Sequence, residues 1–195
     1  ALILYAEHEF NASTFAARTA ASTLTDFHSA VTAAIATLRG PLHGGANEAA
    51  LDLILSFDDP EAAEVGIIRM LEERKLIMGF GHRVYRGGDP RSPIIEACAE
   101  RLAATSDGKM LAIARSIETV MRREKGLFPN LDFYSAVVFH QLGIKKDLFT
   151  PVFVIARLAG WAAHIIEQVG DNRLIRPTSE YIGPEDRPFV PIVGR

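Results

Sequence analysis

The chain has 195 residues, with 21 lysines and arginines against 24 aspartates and glutamates, which gives a formal net charge of −3. This balance excludes a broad basic surface for nucleic acid, so any anion must be bound by local clusters of cations. The single cysteine, Cys98, excludes an internal disulfide framework and a cysteine-rich zinc site, and we expect it to lie in the core rather than to act as a nucleophile.

The hydropathy of the sequence bears on where the protein resides. We find no apolar run of transmembrane length and no basic flank of the kind that precedes a signal peptide. We therefore expect a cytoplasmic protein with no membrane partner. The chain starts at Ala1 inside an apolar run, without an initiator methionine, which suggests that residues are missing upstream.

Apolar residues recur at helical spacing along most of the chain, which predicts an almost wholly helical protein. The first helical stretch is expected to run from residue 1 to about 39 and to stop at Gly40-Pro41. The remainder from Asn172 to Arg195 holds four prolines and is predicted to be an extended arm. Further helices are predicted over Ala46–Leu55, from Asp59-Pro60-Glu61, from Ser92-Pro93, along Leu111–Met121, from Leu131 to about 142, and from Thr150-Pro151 to Gly170.

The segment Gly79–Arg91 is the most unusual stretch of the sequence. It holds four glycines, one histidine, three arginines, one aspartate and, near its end, one proline. Glycine N–H groups, guanidinium groups and an imidazole suit the binding of an anion. The alternative is an exposed basic turn. The segment also matches half of a dinucleotide-binding fingerprint, but the third glycine is missing and we set that match aside.

Three histidines and one aspartate lie beside breaks that glycine or proline marks: His8, His43, His82 and Asp132. Active sites on helical scaffolds often draw their groups from such positions. His43 precedes a helix N-terminus, which favours a neutral imidazole able to donate a hydrogen bond. Asp132 either caps its helix or, if buried, is a base with a raised pKa. A zinc site made of the three histidines is the rival interpretation, although none has metal-type spacing.

The long helix after Thr150 carries a polar line at Arg157, Gly160, His164 and Gln168. This line could face a cleft or could be a solvated surface, and the pattern alone favours neither.

Several segments resemble the signatures of the citrate synthase family, in the family's order and at about its spacing. The resemblance runs from end to end but covers only the second half of a typical member. The segments that carry it are Tyr5–Thr14, Pro41–Glu48, Gly79–Tyr85 with Asp89–Arg91, Phe128–Asp132, Ile155–Arg157 and Asn172–Pro177.

The resemblance implies an all-α, citrate synthase-like fold in which a smaller helical domain is inserted into a large helical domain. Residues 1–45 and 143–195 would belong to the large domain, with its N-terminal portion missing, and residues 46–142 would form the small domain. It also implies an obligate homodimer.

The activity that the resemblance implies is the condensation of oxaloacetate with a short acyl-CoA, followed by release of CoA. Asp132 would remove a proton from the α-carbon of the acyl group, His43 would donate a hydrogen bond to the thioester oxygen, and His82 would protonate the ketone oxygen of oxaloacetate. The acyl-CoA is a substrate, and no cofactor or metal is expected. Oxaloacetate would be bound by His8, Arg91, Arg157 and, from the partner subunit, Arg176; CoA would be bound by Met78, Gly79, Phe80, Gly81, Arg86 and Asn130.

Two activities of the family remain open. Citrate synthase of the tricarboxylic acid cycle uses acetyl-CoA, whereas 2-methylcitrate synthase of propionate catabolism uses propionyl-CoA. Tyr5–Asn11 and Tyr181–Val190 look like the 2-methylcitrate type and favour propionyl-CoA. A non-catalytic alternative is a dimerising helical fragment of such an enzyme.

Overall fold

A computed structural model of the chain describes residues 1–105 and 108–194. Over these residues the regular secondary structure is helical, and the one β-bridge, between Phe80 and Pro129, stands outside any strand. The all-α prediction is therefore confirmed. The helices are α1 (Leu2–Tyr5), α2 (Ala12–Ala21), α3 (Phe27–Leu38), α4 (Ala46–Leu55), α5 (Pro60–Glu72), α6 (Ser92–Ala103), α7 (Lys109–Lys125), α8 (Leu131–Gln141) and α9 (Phe149–Gly170), with 3₁₀ turns at Lys146–Leu148 and Ile192–Gly194.

Local capping signals account for several helix ends. Asp59 accepts a hydrogen bond from the backbone N–H of Ala62 at 2.7 Å, and Pro60 occupies the first turn of α5. Gly126 ends α7 in the left-handed conformation, with a φ of 64°. The signals at the start of α5 are local, which is why its predicted start is confirmed.

The prediction of one helical stretch over residues 1–39 is wrong, because two breaks divide it into α1, α2 and α3. Asn11 accepts a hydrogen bond from the backbone N–H of Thr14 at 3.1 Å and caps α2. Asp26 accepts from the backbone N–H of Ser29 at 3.0 Å and caps α3. Aspartate and asparagine are both strong N-cap residues, so each break has a local cause.

The helices pack in two sets. Helix α9 packs against α1, α2 and α3, and α2 packs against α3; separately, α6 and α4 pack against α8, and α5 packs against α7. Cys98 of α6 is partly buried against the core, as predicted. The division into a large and a small domain at residues 46 and 142 stays a prediction.

Helix α9 corrects one expectation from the sequence. The segment Lys146–Gly170 has a mean hydropathy of 1.5 and is long and apolar enough to cross a membrane, so the statement that no run reaches that length is wrong. The core helix of a soluble protein meets the same criterion. Here α9 buries Phe153, Trp161 and Ile165 among its neighbours, whereas four other large apolar side chains of the helix are exposed: Ile155, Leu158, Ile166 and Val169.

The glycine-rich loop is attached to the start of α8 by backbone hydrogen bonds. Gly81 donates to the carbonyl of Phe128 at 2.9 Å, and the N–H of Asn130 donates to the carbonyl of Gly79 at 2.9 Å. Gly79 has a φ of 89°, and a Cβ there would lie 2.8 Å from the ring of Phe133. Only glycine allows this approach, so the loop lies directly against the helix that carries Asp132.

Candidate active site

A cleft of about 970 Å³ lies where the glycine-rich loop, the ends of α1, α4 and α8, and the middle of α9 meet. Arg86 and Arg176 are exposed and do not line it, and Arg176 donates to the carbonyl of Pro177 at 2.7 Å. The expected roles of Arg86 toward CoA and of Arg176 across a dimer interface stay predictions. The predicted site residues that line the cleft are His8, His43, Met78, Gly79, Phe80, Gly81, His82, Arg91, Asn130, Asp132 and Arg157.

Asp132 lies in the first turn of α8, but it is not the cap of that helix. Asn130 caps α8 by accepting from the backbone N–H of Asp132 at 3.1 Å. The hydroxyl of Tyr5 donates to Oδ1 of Asp132 at 2.6 Å. Burial raises the pKa of Asp132 to about 6, although the Tyr5 hydrogen bond and the charges of Arg91 and Arg157 act in the opposite direction. At pH 7 this carboxylate is ionised and is a stronger base than an exposed one.

His43 lies three residues before α4, and its ring contacts Ser13 of α2. The backbone N–H of Ser13 lies 3.3 Å from Nε2 of His43, and the Ser13 hydroxyl oxygen lies 2.8 Å from the same nitrogen. Because a backbone N–H can only donate, we assign Nε2 as the acceptor and place the ring proton on Nδ1. Burial, and then the charge of Arg157, lower the pKa of His43 to about 4. The imidazole is therefore neutral, as predicted, but burial rather than the helix terminus is the main cause.

His82 is oriented by its own loop. The backbone N–H groups of Val84 and Tyr85 donate to its Nδ1 at 3.0 and 3.3 Å, which places the ring proton on Nε2. The ring of His8 lies 5.0 Å from that of His82, and Nε2 of His8 lies 3.0 Å from the hydroxyl of Tyr85. Burial, with the neighbouring His8 and Arg91, lowers the pKa of His82. At neutral pH His82 is thus an uncharged imidazole that can donate a proton from Nε2.

The rival interpretation was a zinc site made of the three histidines. Over residues 1–105 and 108–194, no group of three histidine, cysteine, aspartate or glutamate side chains is placed to hold a metal ion. Nδ1 of His82 is already an acceptor for two backbone N–H groups, and Nε2 of His43 for one.

Three arginines line the cleft; Arg83 is exposed, and the two that are less exposed, Arg91 and Arg157, differ in their partners. Arg91 donates to both oxygens of Asp89, at 2.9 and 2.8 Å, and the backbone N–H of Leu131 donates to the same carboxylate at 3.1 Å. Arg157 is 2 % exposed and donates from Nε to the carbonyl of Tyr5 at 2.6 Å.

Arg157 forms no ion pair within the part of the chain that the structure describes, and its NH1 atom has no hydrogen-bond partner there. Burial, and then repulsion from Arg91, lower the pKa of Arg157 to about 10, so it stays charged at pH 7. The charges of Glu7 and Asp132 favour the cation from a distance, but a buried cation with no direct ion pair is still costly unless an anion joins it. The cleft is therefore suited to a negatively charged ligand.

Sequence reasoning missed four residues that hold the site groups in place. Tyr5 contacts Asp132, Ser13 contacts His43, and Tyr85 contacts His8. Asp89, which is 3 % exposed, joins Arg91 to the start of α8. Of the four residues, Asp89 alone had a local sequence signal, because an aspartate two residues before an arginine can form an ion pair with it. The other contacts span 30 to 127 residues and have no local pattern.

A family model described as "Citrate synthase, C-terminal domain" matches residues 1–178. The chain belongs to the citrate synthase family. The resemblance in the sequence segments and the predicted fold are thus confirmed. Over its full length the chain is 51% identical to citrate synthase 2 of Bacillus subtilis, covering 53% of that protein, and 51% identical to the 2-methylcitrate synthase of Shewanella oneidensis, covering 52%.

Solved citrate synthases superpose on the whole chain. The Thermotoga maritima enzyme gives a TM-score of 0.92 at 43% identity, with 54% of its chain covered. The Thermoplasma acidophilum enzyme, solved as a ternary complex with carboxymethyl coenzyme A and oxaloacetate, gives 0.93 at 42% identity, with 53% covered. The chain spans about half the length of the curated relatives it matches.

Proposed function

We propose that this chain supplies the catalytic groups of an enzyme that condenses oxaloacetate with a short acyl-CoA and releases CoA. One observation carries the proposal: a carboxylate with a raised pKa, two neutral imidazoles and an unpaired buried guanidinium line a single cleft. The ternary complex of the Thermoplasma relative with carboxymethyl coenzyme A and oxaloacetate supports this pair of substrates.

The first step is removal of a proton from the α-carbon of the acyl group. A thioester α-proton is a very weak acid, so a carboxylate alone cannot remove it without a donor that meets the charge developing on oxygen. Asp132 accepts the proton, and its raised pKa increases its basicity. His43 donates a hydrogen bond from Nδ1 to the thioester oxygen, and the substrate becomes an enolate whose oxygen this hydrogen bond stabilises.

The second step forms the carbon–carbon bond. The nucleophilic carbon of the enolate attacks the keto carbon of oxaloacetate, and His82 transfers its Nε2 proton to the oxygen that becomes the hydroxyl. His82 then regains a proton from water, and Asp132 returns the α-proton to solvent, so that both groups recover their starting states. Water then hydrolyses the thioester of the condensed product, which gives a carboxylate and free CoA.

The dicarboxylate is held by the cations of the cleft. Arg157 can donate from its unpartnered NH1 atom to one carboxylate, because Nε is already engaged with Tyr5. Arg91 has fewer free hydrogen-bond donors for the ligand, because its Nε and one terminal nitrogen already donate to Asp89. His8, 5.0 Å from His82 by ring centroids, adds a polar contact. Arg176 would complete the set from the partner subunit of a homodimer.

CoA is expected to enter along the glycine-rich loop. Met78, Gly79, Phe80 and Gly81 line the cleft, and the side chain of Asn130 donates to the carbonyl of Gly81 at 3.2 Å, which fixes this edge. Close approach of a ligand to the backbone is possible where glycine lacks a side chain. Arg86, exposed beyond the cleft, would meet the CoA phosphates.

The test is CoA release measured with a thiol reagent, with and without oxaloacetate, for acetyl-CoA and propionyl-CoA. We expect release that depends on oxaloacetate, and the 2-methylcitrate-like segments at Tyr5–Asn11 and Tyr181–Val190 predict the higher kcat/KM for propionyl-CoA. One methylene is worth about 1–3 kcal/mol, or roughly 10- to 200-fold. A strong acetyl-CoA preference would reject the propionyl assignment and leave the condensation standing.

The second candidate function is a non-catalytic dimerising helical unit, which the coverage of only about half of each relative favours. It predicts a dimer by analytical ultracentrifugation with no CoA release from either thioester. Release by the wild-type chain, abolished by His82→Asn, would reject that alternative.

A further inference from the structure

Tyr5 makes a contact that no local sequence pattern predicts. Its side chain is 1 % exposed at the end of α1, and its hydroxyl donates to Oδ1 of Asp132 at 2.6 Å across 127 residues of sequence. We propose that Tyr5 is the positioning residue of the catalytic base: it holds Oδ1 so that Oδ2 is the oxygen left to accept the substrate proton. This inference rests on the proposed function, in which Asp132 is that base.

The backbone around Tyr5 fixes the hydroxyl in place. The Tyr5 carbonyl accepts from Nε of Arg157 at 2.6 Å, and the next carbonyl, that of Ala6, accepts from the N–H of Gly160 at 3.0 Å. A Cβ at Gly160 would lie 2.4 Å from that oxygen, so only glycine lets the segment cross α9 this closely. The ring of Tyr5 packs on Phe153 with centroids 4.1 Å apart. One residue thus contacts the base with its side chain and the unpaired guanidinium with its backbone.

Two buried polar side chains stand behind the hydroxyl. Asn47 of α4 and Ser135 of α8 are both fully buried, and neither side chain completes a hydrogen bond with the described residues. Both lie close enough to lower the pKa of Tyr5, against burial and Asp132, which raise it. Either side chain has a proton to donate toward the phenolic oxygen, and such a donor would leave the Tyr5 proton for Asp132.

The contact has a defined effect on the base. A hydrogen bond donated to an ionised carboxylate stabilises the charged form and lowers the pKa. Burial raises the pKa of Asp132. Of the other charged groups that face it, Arg91 and Arg157 lower the pKa and Asp89 raises it. The Tyr5 hydroxyl therefore keeps Asp132 ionised at neutral pH in a site whose burial would otherwise favour the protonated form.

The experiment titrates Asp132 directly, by ¹³C NMR of protein labelled at the aspartate γ-carbon, with the resonance assigned by its loss in Asp132→Asn. In Tyr5→Phe we expect the pKa of Asp132 to rise by about one to two units, a roughly 10- to 100-fold gain in proton affinity. In turnover, the acidic limb of kcat/KM shifts to higher pH in the same direction. An unchanged or lowered pKa would overturn the inference.

Tyr134→Phe is the matched control. It removes the hydroxyl of another fully buried tyrosine, on the same helix as Asp132, which donates to Glu118 instead. The pKa of Asp132 should not change in this variant, and an equal shift there would also overturn the inference.

If Tyr5→Phe fails to fold, a fluorotyrosine at position 5 provides a second test of the same contact. Its phenol is more acidic and donates more strongly, so we expect the pKa of Asp132 to fall, whereas a purely structural role predicts no change. The NMR readout does not need turnover. A pKa shift without CoA release from the wild type would therefore reject the proposed function and keep the contact between Tyr5 and Asp132.

Discussion

Replacing Asp89 by asparagine should destabilise the protein by about 3–5 kcal/mol, the cost of breaking a buried ion pair. The side chain of Asp89 is fully buried, and its carboxylate accepts four hydrogen bonds, three from Arg91 and one from the backbone of Leu131. Asparagine keeps one oxygen but loses the charge and the second oxygen, which accepts from Arg91 and Leu131. Two charge-assisted hydrogen bonds at about 1.5–3 kcal/mol each give about 3–6 kcal/mol, which overlaps this estimate.

Urea unfolding at several pH values measures this effect. Burial alone would raise the pKa of Asp89, but its hydrogen bonds with Arg91 and Leu131 and the charge of Arg91 outweigh burial and lower it. A group with a lowered native pKa stabilises the fold fully above its unfolded pKa of about 3.9, and this stabilisation is lost as the pH falls through the native value. The difference in unfolding free energy between wild type and Asp89→Asn should therefore be largest at pH 7 and shrink below about pH 4.

Asp52→Asn is the control for the same chemical change. Asp52 pairs with Lys146 at 2.8 Å, but both side chains are exposed, so its loss should leave stability nearly unchanged. Two results would contradict this prediction. One is a loss of unfolding free energy in Asp89→Asn no larger than that in Asp52→Asn, and the other is a loss in Asp89→Asn that is the same at pH 7 and at acid pH.

Gly160→Ala should lower the unfolding free energy by about 1–3 kcal/mol, because its Cβ would lie 2.4 Å from the carbonyl oxygen of Ala6. Gly170→Ala, which meets open space on the same helix, should not lower it; equal losses in urea unfolding would contradict the argument. Arg157→Lys should weaken oxaloacetate binding by about tenfold or more in calorimetry, because lysine lacks the planar fork that holds both the Tyr5 carbonyl and a ligand. Unchanged affinity would show that Arg157 does not bind the dicarboxylate.

The parts of the fold that sequence predicted well are those with local causes. Asp59-Pro60 starts a helix because a capping carboxylate and a fixed φ act within one turn. The failure over residues 1–39 has a local cause too, since Asn11 and Asp26 are ordinary caps that the apolar stripe obscured.

The contacts that tune the site could not be predicted, because they join distant segments. The prediction that Asp132 would have a raised pKa if buried gave the right direction, yet the hydroxyl of Tyr5 that opposes the rise comes from the other end of the chain. The neutral state of His43 was predicted from a helix terminus, whereas burial and Arg157 produce it. Only packing decides which side chains share a cleft.

The most direct test of the central claim is CoA release by Asp132→Asn with saturating oxaloacetate and propionyl-CoA, beside calorimetric binding of oxaloacetate. Asparagine keeps the shape of the side chain but cannot accept the α-proton. We predict that kcat falls by about 100-fold or more, in the range of general-base catalysis, while oxaloacetate affinity holds. Turnover within a few-fold of the wild type would contradict the account, because Asp132 could not then be the base.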